Sequence, residues 1–120
     1  MVDTLFFVHA DDGAAADLAA HYSALGWNVS TSGPLATDAM DKVASSNPVA
    51  AVFCLTGDYV AEVHALAARI LGDGRVHRPL MVFVGGSDEE IGLARGDTPY
   101  AVFVSQEELP WVLKRLVAKY

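Results

Sequence analysis

The segment Thr4-Leu-Phe-Phe-Val-His-Ala-Asp-Asp12 runs from bulky apolar residues into two carboxylates, and Gly13-Ala-Ala-Ala16 follows at once. A bulky apolar run without alternation is the pattern of a strand buried on both faces, and the alanines after it favour a helix. A strand feeding a helix places Asp11 and Asp12 at the carboxyl edge of an open parallel sheet, where ligands bind. Adjacent carboxylates repel unless a cation, a base or water relieves them, so the pair is a candidate divalent-cation site. The competing reading gives one of them to the helix N-terminus as a cap and leaves the other solvated.

Outward from this segment the same unit repeats. The first strand, expected over Thr4 to Ala10, leads into a helix over 13–25, with Leu18, Tyr22 and Leu25 on one stripe and Gly26 as a left-handed cap. Residues 27–32 form a short edge-type strand. Gly33-Pro34 is expected to open a helix through about Ser46, which Asn47-Pro48 breaks. Val49-Ala-Ala-Val-Phe-Cys54 is apolar without alternation, as in a central strand, and Thr56-Gly-Asp58 is its loop. A helix over 59–71 buries Val63, Leu66, Ala67 and Ile70. Residues 79–84 form the fourth strand, Gly85-Gly-Ser87 a plain turn, and Asp88-Glu-Glu90 the acidic first turn of a short helix that suits the helix dipole. Tyr100 to Val104 is the fifth strand. Ser105 with Glu108 forms a capping box before Leu109, Leu113 and Leu116, although Pro110 would cost that helix a backbone bond and shift its start later.

The composition narrows the class. A chain of 120 residues with 52% hydrophobic content is expected to be a single domain over 1–120 with a core of its own. Its net charge of −7 opposes phosphate backbones and anionic lipid, so neither nucleic acid nor a membrane is an expected partner. Its one cysteine, Cys54, forms no internal disulfide, and no apolar run is long enough to cross a bilayer, so a cytoplasmic location is expected. No Ser/His/Asp or Cys/His set falls at matching strand ends and no dinucleotide glycine fingerprint is present, so an enzyme is not expected. His21, His64 and His77 lack metal-ligand spacing and are read as surface or helix-face residues. Trp27, Trp111, Tyr100 and Tyr120 are read as core or rim aromatics.

Five strand–helix units, an acidic pair after the first strand, and Ser105-Gln-Glu-Glu-Leu109 opening the last helix together resemble the receiver domain of two-component response regulators, across the whole chain. The resemblance implies an α/β, flavodoxin-like, doubly wound five-stranded parallel sheet of order 2-1-3-4-5 with helices on both faces. It also implies Mg²⁺ at Asp11 and Asp12, beside a phospho-accepting aspartate after the third strand. Pro48 and Pro79, taken as anchors of the third and fourth strands, both put Cys54 at that acceptor position, where a neutral thiol supplies neither charge nor metal ligand. Asp58, further along the loop, is the alternative acceptor. The family's Thr or Ser falls on Val84, with Ser87 the nearest substitute, and its Lys falls on Val102 or Phe103. Tyr100 or Phe103 occupies the neighbourhood of the aromatic that swings in such domains.

The resulting expectation is a stand-alone atypical receiver, a signalling module that binds a protein partner without phosphorylation. Its contact surface is the face formed by the fourth helix, fifth strand and fifth helix. No resident cofactor is expected beyond a weakly held Mg²⁺, and the oligomeric state is left open. One alternative is a phospho-accepting receiver using Asp58 with Mg²⁺ at Asp11 and Asp12. A thinner resemblance, to mannose-type phosphotransferase IIA domains, rests on Val8-His9 and Leu55-Thr-Gly-Asp58 and implies a phosphocarrier histidine at His9.

Overall fold

A computed structural model of the chain describes residues 3–33, 37–55, 60–72, 79–97, 101–105 and 107–117. Strands β1 (Thr4–Val8), β2 (Asn28–Ser32), β3 (Ala50–Cys54), β4 (Leu80–Val84) and β5 (Val102–Val104) alternate with helices α1 (Asp12–Ala24), α2 (Ala39–Ser46), α3 (Val60–Gly72), α4 (Asp88–Asp97) and α5 (Leu109–Val117). The strands form one sheet in the order β2-β1-β3-β4-β5. Every pairing is parallel. The alternating pattern gave the parallel sheet, and the order is the flavodoxin-like one that the receiver resemblance implies.

The pleat divides the core in two. Phe6, Val8, Ala51, Phe53, Met81 and Phe83 face one side, where Met40 and Val43 of α2 and Val63, Leu66 and Ile70 of α3 cover them. Leu5, Phe7, Val52, Val82 and Val84 face the other, covered by Tyr22 of α1 and by Leu109 and Leu113 of α5. Because helices cover both faces, β1, β3 and β4 read as continuous apolar runs. The register sets Phe53 beside Phe83 and Phe83 beside Phe103. Their rings stack at centroid separations of 5.2 and 5.4 Å.

Several boundaries differ from the sequence expectation. β1 stops at Val8, short of Ala10. The Nδ1 of His9 accepts the Asp11 N–H at 2.9 Å, which turns the chain towards α1, while the His9 N–H still donates to the Ser32 carbonyl. The second helix starts at Ala39, well after Gly33-Pro34. Leu25 is 56% exposed and not part of the α1 stripe. The Trp27 N–H donates to the Tyr22 carbonyl and the Gly26 N–H to that of Ser23, a Schellman ending with Gly26 at φ 99° that swings Leu25 off the buried side. Proline and capping box coexist at α5. Ser105 Oγ accepts the Glu108 N–H and Glu108 Oε1 accepts the Ser105 N–H, then Pro110 leaves one rung of the ladder unmade, so the regular helix begins at Leu109.

Candidate functional site

The carboxyl edge of the sheet gathers the ends of β1, β3 and β4. At the end of β1, Asp11 is the N-cap of α1, and its Oδ1 accepts the N–H groups of Gly13 at 2.8 Å and Ala14 at 3.1 Å. Two donors that the helix itself leaves unsatisfied are thereby paired. Asp12 lies in the first turn, exposed, where its charge favours the helix dipole. Asp11 thus caps the helix and Asp12 stands exposed beside it. Among the described residues no three His, Cys, Asp or Glu side chains form a group able to hold a metal ion.

The cap makes a measurable prediction. Asp11→Ala should cost about 1 kcal/mol of stability, and Asp11→Asn, which keeps an acceptor oxygen, only a few tenths. Urea unfolding of both variants checks this. Equal losses in the two would show that the negative charge matters more than the cap.

Cys54 closes β3, with Val84 of β4 as its neighbour in register. Only 2% of Cys54 is accessible, and burial pushes its thiol up to about 12. At neutral pH the sulfur is held as a protonated thiol, the poorly nucleophilic form. Tyr22 is on the same side of the sheet, its ring 5.1 Å from that of Phe7. Its hydroxyl is likewise pushed up to about 12, first by burial and then by the Cys54 charge. Val84 is 1% exposed and pairs with Val104, so this row of the sheet is apolar from β3 to β5.

The remaining switch positions divide between caps and packing. Ser87 is committed to α4: its Oγ accepts the Glu90 N–H at 3.2 Å and its N–H donates to Glu90 Oε1 at 2.8 Å. The Ser-x-x-Glu signature of this second capping box is plain in Ser87-Asp-Glu-Glu90, which the sequence analysis read only as a turn and an acidic helix start. Gly86 precedes it at φ +89°, and an added Cβ would lie 3.0 Å from the Leu55 Cβ, so glycine alone fits between the β3 and β4 ends. Val102 pairs with Val82 and Phe103 with Phe83. The Arg95 guanidinium of α4 sits 5.0 Å from the Phe103 ring centre. Asp58 and Tyr100 lie outside the described residues.

His9 directly follows β1, where the sequence placed it. His9 is 8% exposed, and with Nδ1 accepting the Asp11 N–H, a neutral ring carries its proton on Nε2. Of the surface and helix-face readings of His64, the helix-face one holds. It is buried on α3 with its ring 5.8 Å from Phe83, and among the described residues neither ring nitrogen has a hydrogen-bond partner. Its place beside the Val63–Ala67 stripe was the signal for burial, which the polar ring obscured.

The two capping boxes tie stability to pH. Hydrogen bonds from the Ser87 and Ser105 backbones, reinforced by their side chains, hold the Glu90 and Glu108 carboxyls below the ordinary value of 4.5, and the nearby His64 adds to this at Glu90. A carboxylate lowered by folding contributes stability that is fully present above its unfolded value and is lost as pH falls through its folded value. The stability advantage of the wild type over Glu90→Gln/Glu108→Gln should therefore hold from pH 7 down to about 4.5 and vanish in more acidic solution. Urea midpoints across that range decide it, and a pH-independent difference would contradict it.

No protein-family model matches the chain, and no curated protein matches it. Among solved structures, the pseudo-receiver domain of the CikA protein, determined by NMR, is similar with a TM-score of 0.62 and 16% sequence identity, covering 98% of this chain and 98% of that one. At that identity the likeness establishes a shared receiver-like fold over the full length. Among the described residues, no helix is long and apolar enough to cross a membrane.

Proposed function

We propose that the chain is a receiver-like signalling module that acts through contact with a protein partner and takes no phosphoryl group at the end of β3. The observation that carries this reading is Cys54, a buried thiol pushed up to about 12 where the resemblance puts an acceptor carboxylate. Forming an acyl phosphate requires a carboxylate in line with a metal-held phosphoryl donor. Asp11 Oδ1 is already bound by two amides, Val84 supplies no hydroxyl, and Ser87 is held in a cap. The similar solved domain is described as a pseudo-receiver, which agrees with this reading. No resident cofactor is assigned.

The partner surface proposed is the α4–β5–α5 face, where β5 is only half-buried and Arg95 covers Phe103. The test is incubation with acetyl phosphate and Mg²⁺ followed by intact mass and peptide mapping. No phosphoryl adduct is expected. A stable adduct lost in Asp58→Asn would replace this reading with a displaced-acceptor receiver, and an acid-labile one on His9 would replace it with a phosphocarrier.

A further inference from the structure

Where the C-terminus of α1 meets α5, the surface opens into a groove of ≈ 580 Å³ with Trp27, Pro110 and Trp111 in its lining. Leu25 and Trp111 also line it, and they are the exposed large hydrophobic residues among those described, at 56% and 60%. With Trp27 and Pro110 they group apolar side chains along one groove. The Arg115 guanidinium lies 5.0 Å from the Trp111 ring centre, which restrains the indole in its exposed pose and lowers the entropy lost when something packs on it.

The charges indicate what packs there. Asp3 and Lys114 line the same groove, both exposed, and neither forms an ion pair among the described residues. A partner of one sign, such as an acidic peptide, would gain from Lys114 and be repelled by Asp3. A second copy related by a two-fold axis meets both, since each Lys114 then faces the partner's Asp3 while the apolar centres meet. The net charge of −7 opposes self-association at long range, so the reciprocal pairs and the apolar contact must outweigh it.

We infer that this groove is the seat of a two-fold homodimer, centred on Trp111 and Leu25 and flanked by reciprocal Asp3–Lys114 pairs. The inference goes beyond the proposed function and does not depend on it, because dimerisation is read without any phosphoryl donor. Both tryptophans of the chain line the groove, so their emission reports on it directly.

Sedimentation velocity from about 10 µM to about 1 mM, with tryptophan emission in parallel, tests it. A reversible dimer is expected, with emission moving to shorter wavelength as it forms. Trp111→Ala should weaken dimerisation about tenfold or more while circular dichroism is unchanged, because the side chain is outside the core. Asp3→Lys and Lys114→Asp should each weaken it, and the double exchange should recover it. A chain that stays monomeric throughout, as it would if the groove served a different protein, overturns the inference. So does a dimer indifferent to these substitutions.

Discussion

Phe83→Ala is expected to remove about 3–5 kcal/mol of folding stability, the largest loss for any single truncation considered. Phe83 is 1% exposed and stands in the middle of the Phe53–Phe83–Phe103 row, with the His64 ring against it. Truncation leaves a cavity bounded by rings from two flanking strands and by α3. Rigid aromatic neighbours cannot collapse into it, and the buried His64 imidazole, without a hydrogen-bond partner among the described residues, borders the gap. Domains of this size hold together by only about 5–15 kcal/mol, so much of that margin goes with one side chain. Phe103→Ala, at the half-buried edge, should cost clearly less. Urea unfolding followed by circular dichroism compares the two, and similar losses would mean that the row is not packed about Phe83.

The second large effect is expected from Cys54→Asp, which puts a carboxyl where the resemblance implies a phospho-acceptor. The introduced carboxyl would enter a site 2% exposed, beside Val84 and on the same face as Tyr22. A buried polar group without partners costs roughly 3 kcal/mol, and the charged form is disfavoured further, which raises the folded-state value of the new carboxyl. The sign follows from linkage. Above the unfolded value of about 4 the unfolded chain releases its proton first, so stability should fall as pH rises, by up to about 1.4 kcal/mol per pH unit until the folded form also ionises. Cys54→Ala, with no titrating group, should lack this slope. A Cys54→Asp protein as stable at pH 7 as at pH 4 would show that the β3 end is open to water or a cation.

Much of the fold was legible because parallel strands covered on both faces leave an unmistakable apolar signature, and Gly26, Asn47-Pro48 and Gly85-Gly86 punctuate it at the right places. Asn47 at φ 46° and Gly26 at φ 99° show why those residue types stand there. The misplaced features each have a local cause. Leu25 has helical spacing with Tyr22, and only the Schellman ending takes it off the stripe. The start of α2 was placed early because Gly33-Pro34 carries the start signal of a helix, whereas Ala39, Met40 and Val43 provide the burial that fixes it.

The site was less legible. Two adjacent aspartates could be read as a metal pair or as a cap with a solvated neighbour, and the cap itself depends on where β1 turns, at the His9 side-chain bond. Ser87-Asp-Glu-Glu90 has the same spacing as Ser105-Gln-Glu-Glu108, yet the preceding glycines drew attention to the turn in place of the cap. The exposure of Trp111 had no sequence signature, since an aromatic near the start of an amphipathic helix is usually buried.

The central claim is that the end of β3 is a packed apolar row and not a phosphoryl-accepting edge. Its most direct test is an amide-resolved NMR titration with Mg²⁺ and beryllofluoride, watching Asp11 to Ala14, Leu55 and Gly85 to Ser87. The account predicts that these resonances stay where they are at concentrations that saturate phospho-accepting receivers. Saturable shifts shared by the three segments would mean that a ligand draws them together, and the claim would fail.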